Sequence, residues 1–234
     1  LNLESYLPIW FRGLCVAVYS ERMTLNTWQD LIQPDTQWVI GADECGTGAY
    51  AGDVFVCAAR VPVDWKAPPG LADSKKVKTV AKRELLFDLL RPVTRSVQRA
   101  SPKELDAQGL TSTLRTLFKK AVLDLLVPHS IVILDGKIIL EDLEYTPLIH
   151  ADALVPAVSA ASVIGKVLRD RHMTEMAKLH PGYNFGKHFG YGSEEHETAL
   201  QSKGPSPIHR MSYGPMRASL EELLQMESVG MVLE

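Results

Sequence analysis

The chain has 234 residues, and its 46% hydrophobic and 23% charged content is that of an ordinary globular domain with a substantial core. No apolar run approaches the roughly 20 residues that a membrane-spanning helix needs, and the first residues lack the basic-then-apolar order of a signal peptide, so we expect a cytoplasmic protein without a membrane partner. Three cysteines without a CxxC pair argue for reduced, buried thiols and against a zinc site.

The net charge of −3 conceals a basic stretch. Residues 60–103 contain eleven Lys and Arg against four Asp and Glu. Such a stretch can attract a phosphate backbone, although a solvated helix face has the same composition. The charge distribution is therefore compatible with a nucleic-acid partner and does not by itself require one.

The first elements in chain order are strands. We treat residues 1–35 as an N-terminal extension of unknown role and residues 36–234 as one domain. An apolar run at residues 38–42 predicts a buried strand that ends at Asp43 and Glu44. Residues 52–61 predict a second strand after a glycine-rich connection, followed by a helix over residues 78–90 and a third strand over residues 94–99.

Helices dominate the rest of the chain. The run Ser101-Pro102-Lys103-Glu104 is a capping-box pattern, and apolar residues recur at helical spacing after Gly109. An apolar strand at residues 130–134 runs into Asp135, a short extended piece at 148–150 precedes Asp152, and residues 156–177 predict a helix with a face of small residues. From about residue 180 we expect a short helix closed by Gly204 and another helix from about residue 215. This order favours an α/β layer fold with a mixed sheet.

Carboxylates stand where apolar segments end. Asp43 and Glu44 follow the first strand, Asp135 follows the strand at residues 130–134, and Asp152 precedes the long helix. Each could be ordinary turn punctuation. Together they suggest a cluster, since acids at the ends of neighbouring strands can meet and would repel unless a cation binds them. Oxygen ligands favour Mg²⁺ or Mn²⁺, and two ions about 3.5–4 Å apart could support phosphodiester hydrolysis.

At these residues the chain resembles the ribonuclease HII family. The matching blocks span about residues 40–213 in the family's order: GADECGTGAYAGDVFVCAA, LADSKKV, ILDGK, HADALVPAVSAASVIGKVLRDRHM, HPGYNFGKHFGYGSEEH and SPIHRMSY. The resemblance implies a ribonuclease H-like fold, with a central mixed β-sheet flanked by helices and a C-terminal helical extension. It also implies a metal-dependent endonuclease that cuts the RNA strand of RNA–DNA hybrids, or DNA containing ribonucleotides, and leaves 5′-phosphate and 3′-hydroxyl ends.

The resemblance assigns roles to individual positions. The catalytic metal ligands would be Asp43, Glu44, Asp135 and Asp152, which would hold two Mg²⁺ or Mn²⁺ ions, and water would attack in place of a protein nucleophile. The substrate-binding positions would be the loop Gly46-Thr47-Gly48 at the ribose 2′-hydroxyls, Tyr191 at the sugar near the scissile junction, and Lys75 and Lys166 near the phosphates. For Arg169 and Arg171 we favour a surface ion pair with Asp170, and for Arg210 a structural role. We assign catalysis to no histidine.

The match departs from the family at Thr47, where type HII enzymes usually carry Arg. The chain therefore lacks a guanidinium that could fork onto a phosphate or sugar. A small hydroxyl residue there is similar to the related type HIII enzymes, but these carry an extra N-terminal domain and usually Glu at the position of Asp152. We keep type HII and expect that hybrid cleavage survives while cleavage at a single ribonucleotide in DNA is weakened.

Two alternatives stay open at this point. A two-metal DNA nuclease of the same fold, such as a resolvase, would explain the carboxylates but not the glycine loop together with Tyr191. An inactive hybrid-binding module would explain the fold but not the presence of all four carboxylates. We expect a monomer that acts in primer removal or in ribonucleotide removal from DNA.

Overall fold

A computed structural model describes residues 27–71, 77 and 79–216. Its centre is a five-stranded mixed sheet in the order β3-β2-β1-β4-β5. The strands are β1 (Trp38–Cys45), β2 (Val54–Pro62), β3 (Thr94–Ala100), β4 (Ser130–Asp135) and β5 (Thr146–Leu148). The pairs β1–β2 and β2–β3 are antiparallel, while β1–β4 and β4–β5 are parallel. The expected α/β fold with a central mixed sheet is confirmed.

Seven helices are described around this sheet. They are α1 (Val80–Leu89), α2 (Pro102–Gln108), α3 (Leu110–Leu123), α4 (Ala151–Leu154), α5 (Pro156–Leu179), α6 (Phe185–His188) and α7 (Glu194–Lys203). The capping box predicted at Ser101 and Glu104 begins α2, with both of its hydrogen bonds present. Gly204 ends α7 as predicted. Within the described ranges, no helix is long and apolar enough to cross a membrane.

The two faces of the sheet carry separate cores. On one face, Ile40 of β1 and Leu134 of β4 pack with Phe118 of α3. On the other face, Cys57 of β2 packs with Ala160 and Ile164 of α5. The small residues of α5 allow a close approach: a β-carbon at Gly41 would lie 2.3 Å from the backbone nitrogen of Val158. The long helix is therefore pressed against the central strand, which brings its polar residues beside the end of β1.

Three predicted boundaries were wrong. The first strand runs one residue past Asp43 and Glu44, to Cys45, because β1 stays paired with β2 as far as Phe55. The extended piece expected at residues 148–150 lies earlier, at Thr146–Leu148, and His150 adopts a left-handed conformation that begins α4. The second strand begins at Val54, since Gly52 has a φ of 84° and belongs to the preceding turn.

Several expectations lie outside the described residues. These are Cys15 and most of the extension at residues 1–35, Lys75, and nearly all of the helix expected from about residue 215. The domain boundary at residue 36 stays a prediction. Of the other two cysteines, Cys45 and Cys57 are both free thiols, as expected.

Candidate active site

The ends of β1 and β4 bring the predicted carboxylates together. The two strands are parallel neighbours, and their last registered pair is Ala42 with Leu134, so Asp43 and Asp135 come next on adjacent strands. The Oδ1 atom of Asp135 accepts a hydrogen bond of 2.8 Å from the backbone N–H of Ala151. This bond holds the start of α4 against the end of β4. Asp152, the next residue, is buried there.

Electrostatics show that the four carboxylates form one group. The pKa of Asp43 is raised from its ordinary value of 3.8 to about 8, mainly by burial and also by repulsion from Glu44, Asp135 and Asp152, while a side-chain hydrogen bond with Ser162 lowers it. Burial also raises the pKa of Glu44, with Asp135 adding to the effect. The neighbouring carboxylates therefore oppose the ionisation of Asp43 and Glu44, which is the behaviour of a site suited to a cation.

Ser162 is a site residue that sequence reasoning missed. It lies on α5, and the hydrogen bond between its side chain and Asp43 favours the ionised form of that carboxylate. It also lies one helical turn before Lys166, so both side chains project from the same part of α5. The available signal was a hydroxyl among the alanines of the predicted packing face, but a serine in a helix against a sheet is ordinary.

The glycine loop is fixed from behind by buried arginines. Gly46 has a φ of 86°, and a β-carbon there would lie 2.0 Å from the Nε atom of Arg169. The guanidinium of Arg210 donates to the carbonyl oxygens of Gly46 at 2.7 Å, Thr47 at 3.2 Å and Gly52 at 2.8 Å. Gly48, in contrast, has no atom within 4 Å of where its β-carbon would be. The loop is thus rigid on its inner side and open on its outer side.

The two arginines of α5 behave differently. Arg169 is fully buried and donates to the backbone carbonyls of Asp53, Phe189 and Ala51, so the expected surface ion pair was wrong for this residue. Its guanidinium donates to these three carbonyls because carbonyl groups in buried turns, outside the strand ladder, need hydrogen-bond donors. Arg171 does form an exposed ion pair, but with Glu84 of α1 rather than with Asp170. The structural role expected for Arg210 is confirmed.

Lys166 and Tyr191 face each other beside the glycine loop. The Nζ atom of Lys166 lies 2.6 Å from Asp170 Oδ1 and 5.3 Å from the centre of the Tyr191 ring. Asp170 also binds Arg83 of α1 at 3.0 Å. Tyr191 forms an isolated β-bridge with Ala49, which follows the glycine loop directly. The structure therefore gathers Gly46, Thr47, Gly48, Lys166 and Tyr191 along one side of the carboxylates.

Two described arginines of the basic stretch at residues 60–103 are engaged within the fold. Arg60 donates to the carbonyl of Leu125 and stacks on Trp38, at the end of β1 away from the carboxylates. Arg95 donates to the carbonyl of Leu90. These two arginines therefore serve the fold.

Comparisons with known proteins agree with this geometry. The ribonuclease HII family model matches residues 40–215. The ribonuclease HII of Dichelobacter nodosus is 40% identical over 186 residues, covering 78% of this chain and 97% of the relative. That of Streptomyces avermitilis is 41% identical over 187 residues, covering 77% and 78%. Among solved structures, the ribonuclease H2 of Pyrococcus horikoshii superposes with a TM-score of 0.65 at 24% identity, covering 80% of this chain and 99% of that one.

Proposed function

The chain belongs to the ribonuclease HII family, and we propose that it hydrolyses the RNA strand of RNA–DNA hybrids at the carboxylate cluster of Asp43, Glu44, Asp135 and Asp152. It is an endonucleolytic hydrolase, as its family is. The observation that supports the assignment of the site is the repulsion that Glu44, Asp135 and Asp152, at the ends of β1 and β4 and the start of α4, exert on the buried carboxylate of Asp43. The products would carry 5′-phosphate and 3′-hydroxyl ends.

The carboxylates fit divalent cations with hard oxygen ligands. The family is metal-dependent, and we propose two Mg²⁺ or Mn²⁺ ions held by these four side chains. When bound, such ions supply Lewis-acid activation of water and stabilisation of the leaving oxygen. Among the residues described, no three potential ligands already stand in metal-binding geometry. We therefore propose that the side chains draw together as positive charge enters and relieves their repulsion.

The protein groups around the cluster would position the substrate. The open side of the glycine loop would approach the ribose 2′-hydroxyls, because glycines at Gly46 and Gly48 leave the backbone accessible and the 2′-hydroxyl distinguishes RNA from DNA. Tyr191 would stack on the sugar near the scissile junction. Lys166 would contact a phosphate, with Asp170 holding its ammonium in place. For Lys75 the proposal rests on its sequence position alone.

The deciding experiment is cleavage of an end-labelled RNA–DNA hybrid with and without Mg²⁺ or Mn²⁺, with the product ends mapped. A matched duplex in which deoxyribonucleotides replace the ribonucleotides serves as the control. We expect cleavage of the hybrid alone, dependent on the metal and with 5′-phosphate ends. Equal cutting of the all-DNA duplex would favour the resolvase-like nuclease, and binding without cutting would favour the inactive module.

We also propose a cytoplasmic monomer that acts in primer removal or in the removal of ribonucleotides from DNA. Size-exclusion chromatography with light scattering tests the oligomeric state. A mass near 25.9 kDa supports the monomer, and a mass of twice that value contradicts it.

A further inference from the structure

Two buried histidines that catalysis does not use meet behind Tyr191. His196 of α7 is fully buried, and His209 is 2% exposed. Their Nε2 atoms lie 3.0 Å apart. The sequence offered no sign of this pair, since the two residues are thirteen positions apart and have no metal-ligand spacing. Two imidazole nitrogens at hydrogen-bond distance require that one carries a proton and the other does not.

Backbone groups determine which nitrogen carries the proton. The Nδ1 atom of His209 lies 2.7 Å from the backbone N–H of Ser206, which can only donate, and 2.8 Å from the Ser206 hydroxyl. It lies farther, at 3.3 Å, from the Ser206 carbonyl oxygen, which already accepts from the backbone N–H of His209 at 3.0 Å. The shortest contact assigns Nδ1 as an acceptor, so the proton of His209 is on Nε2. The Nδ1 atom of His196 lies 2.9 Å from the carbonyl oxygen of Tyr191, which can only accept, so His196 carries its proton on Nδ1. The Nε2 of His196 is then free to accept from His209.

These bonds form one directional chain. It runs from the N–H of Ser206 through His209 and His196 to the carbonyl of Tyr191. The same region is tied to the glycine loop by the β-bridge of Ala51 with His209 and by that of Ala49 with Tyr191. This chain of hydrogen bonds therefore links the two β-bridges, through which Tyr191 and His209 pair with the segment that follows the glycine loop.

We propose that His196 and His209 are positioning residues for Tyr191 and hold its backbone only while both imidazoles are neutral. The proposal rests on the proposed role of Tyr191 at the substrate sugar. Protonation of either ring adds a second N–H donor to it. In His196 this places two N–H groups against each other at Nε2, and in His209 it places one against the N–H of Ser206. Protonation of either ring therefore breaks the chain of hydrogen bonds that ends at the Tyr191 carbonyl.

The surroundings favour the neutral pair. Burial lowers the pKa of His196, and it lowers the pKa of His209 to about 4, with His196 adding to the latter effect. The ionisable groups that face the pair are His188, stacked on His196 at 4.5 Å, His180, Tyr50 and Tyr183. In His188, Nδ1 accepts from the N–H of Gly190 and Nε2 faces the carbonyl of Tyr183. Arg210, next to His209, is turned toward the carbonyls of the glycine loop.

The sign of the pH dependence follows from these lowered pKa values. The unfolded chain binds more protons than the folded chain below the ordinary histidine pKa of 6.5. The stabilising contribution of the pair is therefore complete above that value and is lost as the pH falls from 6.5 toward about 4. The folded enzyme should lose substrate affinity only as the pH approaches these lowered pKa values, toward about 4 for His209.

The test compares His209→Gln with His209→Leu. A glutamine can donate from its amide to His196 and can also rotate to offer its oxygen to a protonated His196, whereas leucine can do neither. At pH 7.5 we expect the leucine variant to raise KM for the hybrid about tenfold with kcat within about twofold, as for the loss of one buried hydrogen bond. Glutamine should restore KM to within about twofold. His129→Gln, at a half-exposed histidine remote in sequence, is the matched control.

Two measurements complete the design. Between pH 7.5 and 4.5, KM of the wild type should rise more steeply than KM of His209→Gln, while the effect of acid on the metal-binding carboxylates is common to both. Imidazole ¹⁵N NMR of the wild type at pH 7.5 should show neutral His196 protonated at Nδ1 and neutral His209 protonated at Nε2. This readout does not require cleavage, so it decides the proposal even if the chain cuts no hybrid. The opposite tautomers, parallel KM profiles, or a folded leucine variant with unchanged KM would each overturn it.

Discussion

The Oδ1 atom of Asp135 accepts a hydrogen bond of 2.8 Å from the backbone N–H of Ala151. This single contact joins the end of β4 to the start of α4 and so places Asp152 beside the two strand-end carboxylates. Asp152 follows Asp135 by seventeen positions in the sequence, and this contact brings it into the same cluster. The contact also means that one oxygen of the Asp135 carboxylate is committed to the fold.

Replacement of Asp135 by asparagine should separate catalysis from binding. Asparagine can still accept from Ala151, so we expect the fold and the position of α4 to be kept. It removes one negative charge from the cluster, which should lower kcat by at least about 100-fold, the effect of losing several kcal/mol of charge stabilisation in the transition state. Cleavage and fluorescence anisotropy with the same labelled hybrid measure both properties. A variant that cuts as fast as the wild type would remove Asp135 from the catalytic set.

The stability of the metal-free protein should fall as the pH rises. The pKa of Asp43 is raised to about 8, so the folded state retains a proton that the unfolded chain releases near 3.8. The stabilising contribution of the protonated form is complete below 3.8 and is lost as the pH rises through about 8. At pH 8 in EDTA, Asp43→Asn should therefore be more stable than the wild type by at least about 1.4 kcal/mol, the equivalent of one unit of pKa.

Urea unfolding at pH 5 and pH 8 measures this difference. The gain from Asp43→Asn should shrink at pH 5, where the wild type is still protonated. Added Mg²⁺ should stabilise the wild type at pH 8 and have little effect on the variant. The same gain at both pH values would show that the charge of Asp43 is not the cause.

Two glycines of one loop should respond differently to alanine. A β-carbon at Gly46 would collide with the buried Arg169 side chain, and its φ of 86° is unfavourable for any other residue, so Gly46→Ala should cost about 2 kcal/mol of stability. Gly48→Ala meets open space and should leave the unfolding free energy within about 0.5 kcal/mol. If Gly48 faces the ribose 2′-hydroxyls, the second variant should nevertheless raise KM for the hybrid. Unchanged KM for Gly48→Ala would place the substrate elsewhere.

Thr47 should limit the cleavage of single ribonucleotides. The backbone of Thr47 is held through its carbonyl by Arg210 and by the hydroxyl of Tyr213 at 2.7 Å, so a new side chain can be introduced without moving the loop. Thr47→Arg should raise the rate at a single ribonucleotide in DNA about tenfold relative to the hybrid rate, since a charge-assisted bond contributes about 1.5 kcal/mol or more. Both substrates are measured side by side for both proteins. Equal rates on the two substrates in the wild type would remove the idea.

The local pattern of the sequence was sufficient for most of the elements and for the identity of the carboxylates. Apolar runs at residues 38–42 and 130–134 predict buried strands, and the acids that follow them stand out because a carboxylate beside a core strand is costly. The capping box at Ser101 and the small face of α5 are likewise local signals. All of these depend on residues within a few positions of each other, which is why they could be recognised without coordinates.

The tertiary structure decided how those residues meet. It pairs β1 with β4 in parallel, seats α5 against Gly41, and brings Ser162 to Asp43. It also buries Arg169, whose sequence neighbourhood predicts a surface, and it joins His196 to His209. These contacts satisfy buried polar groups with partners far away in the chain. No local periodicity encodes such pairs, because the burial that makes each of them necessary exists only once the whole domain has folded.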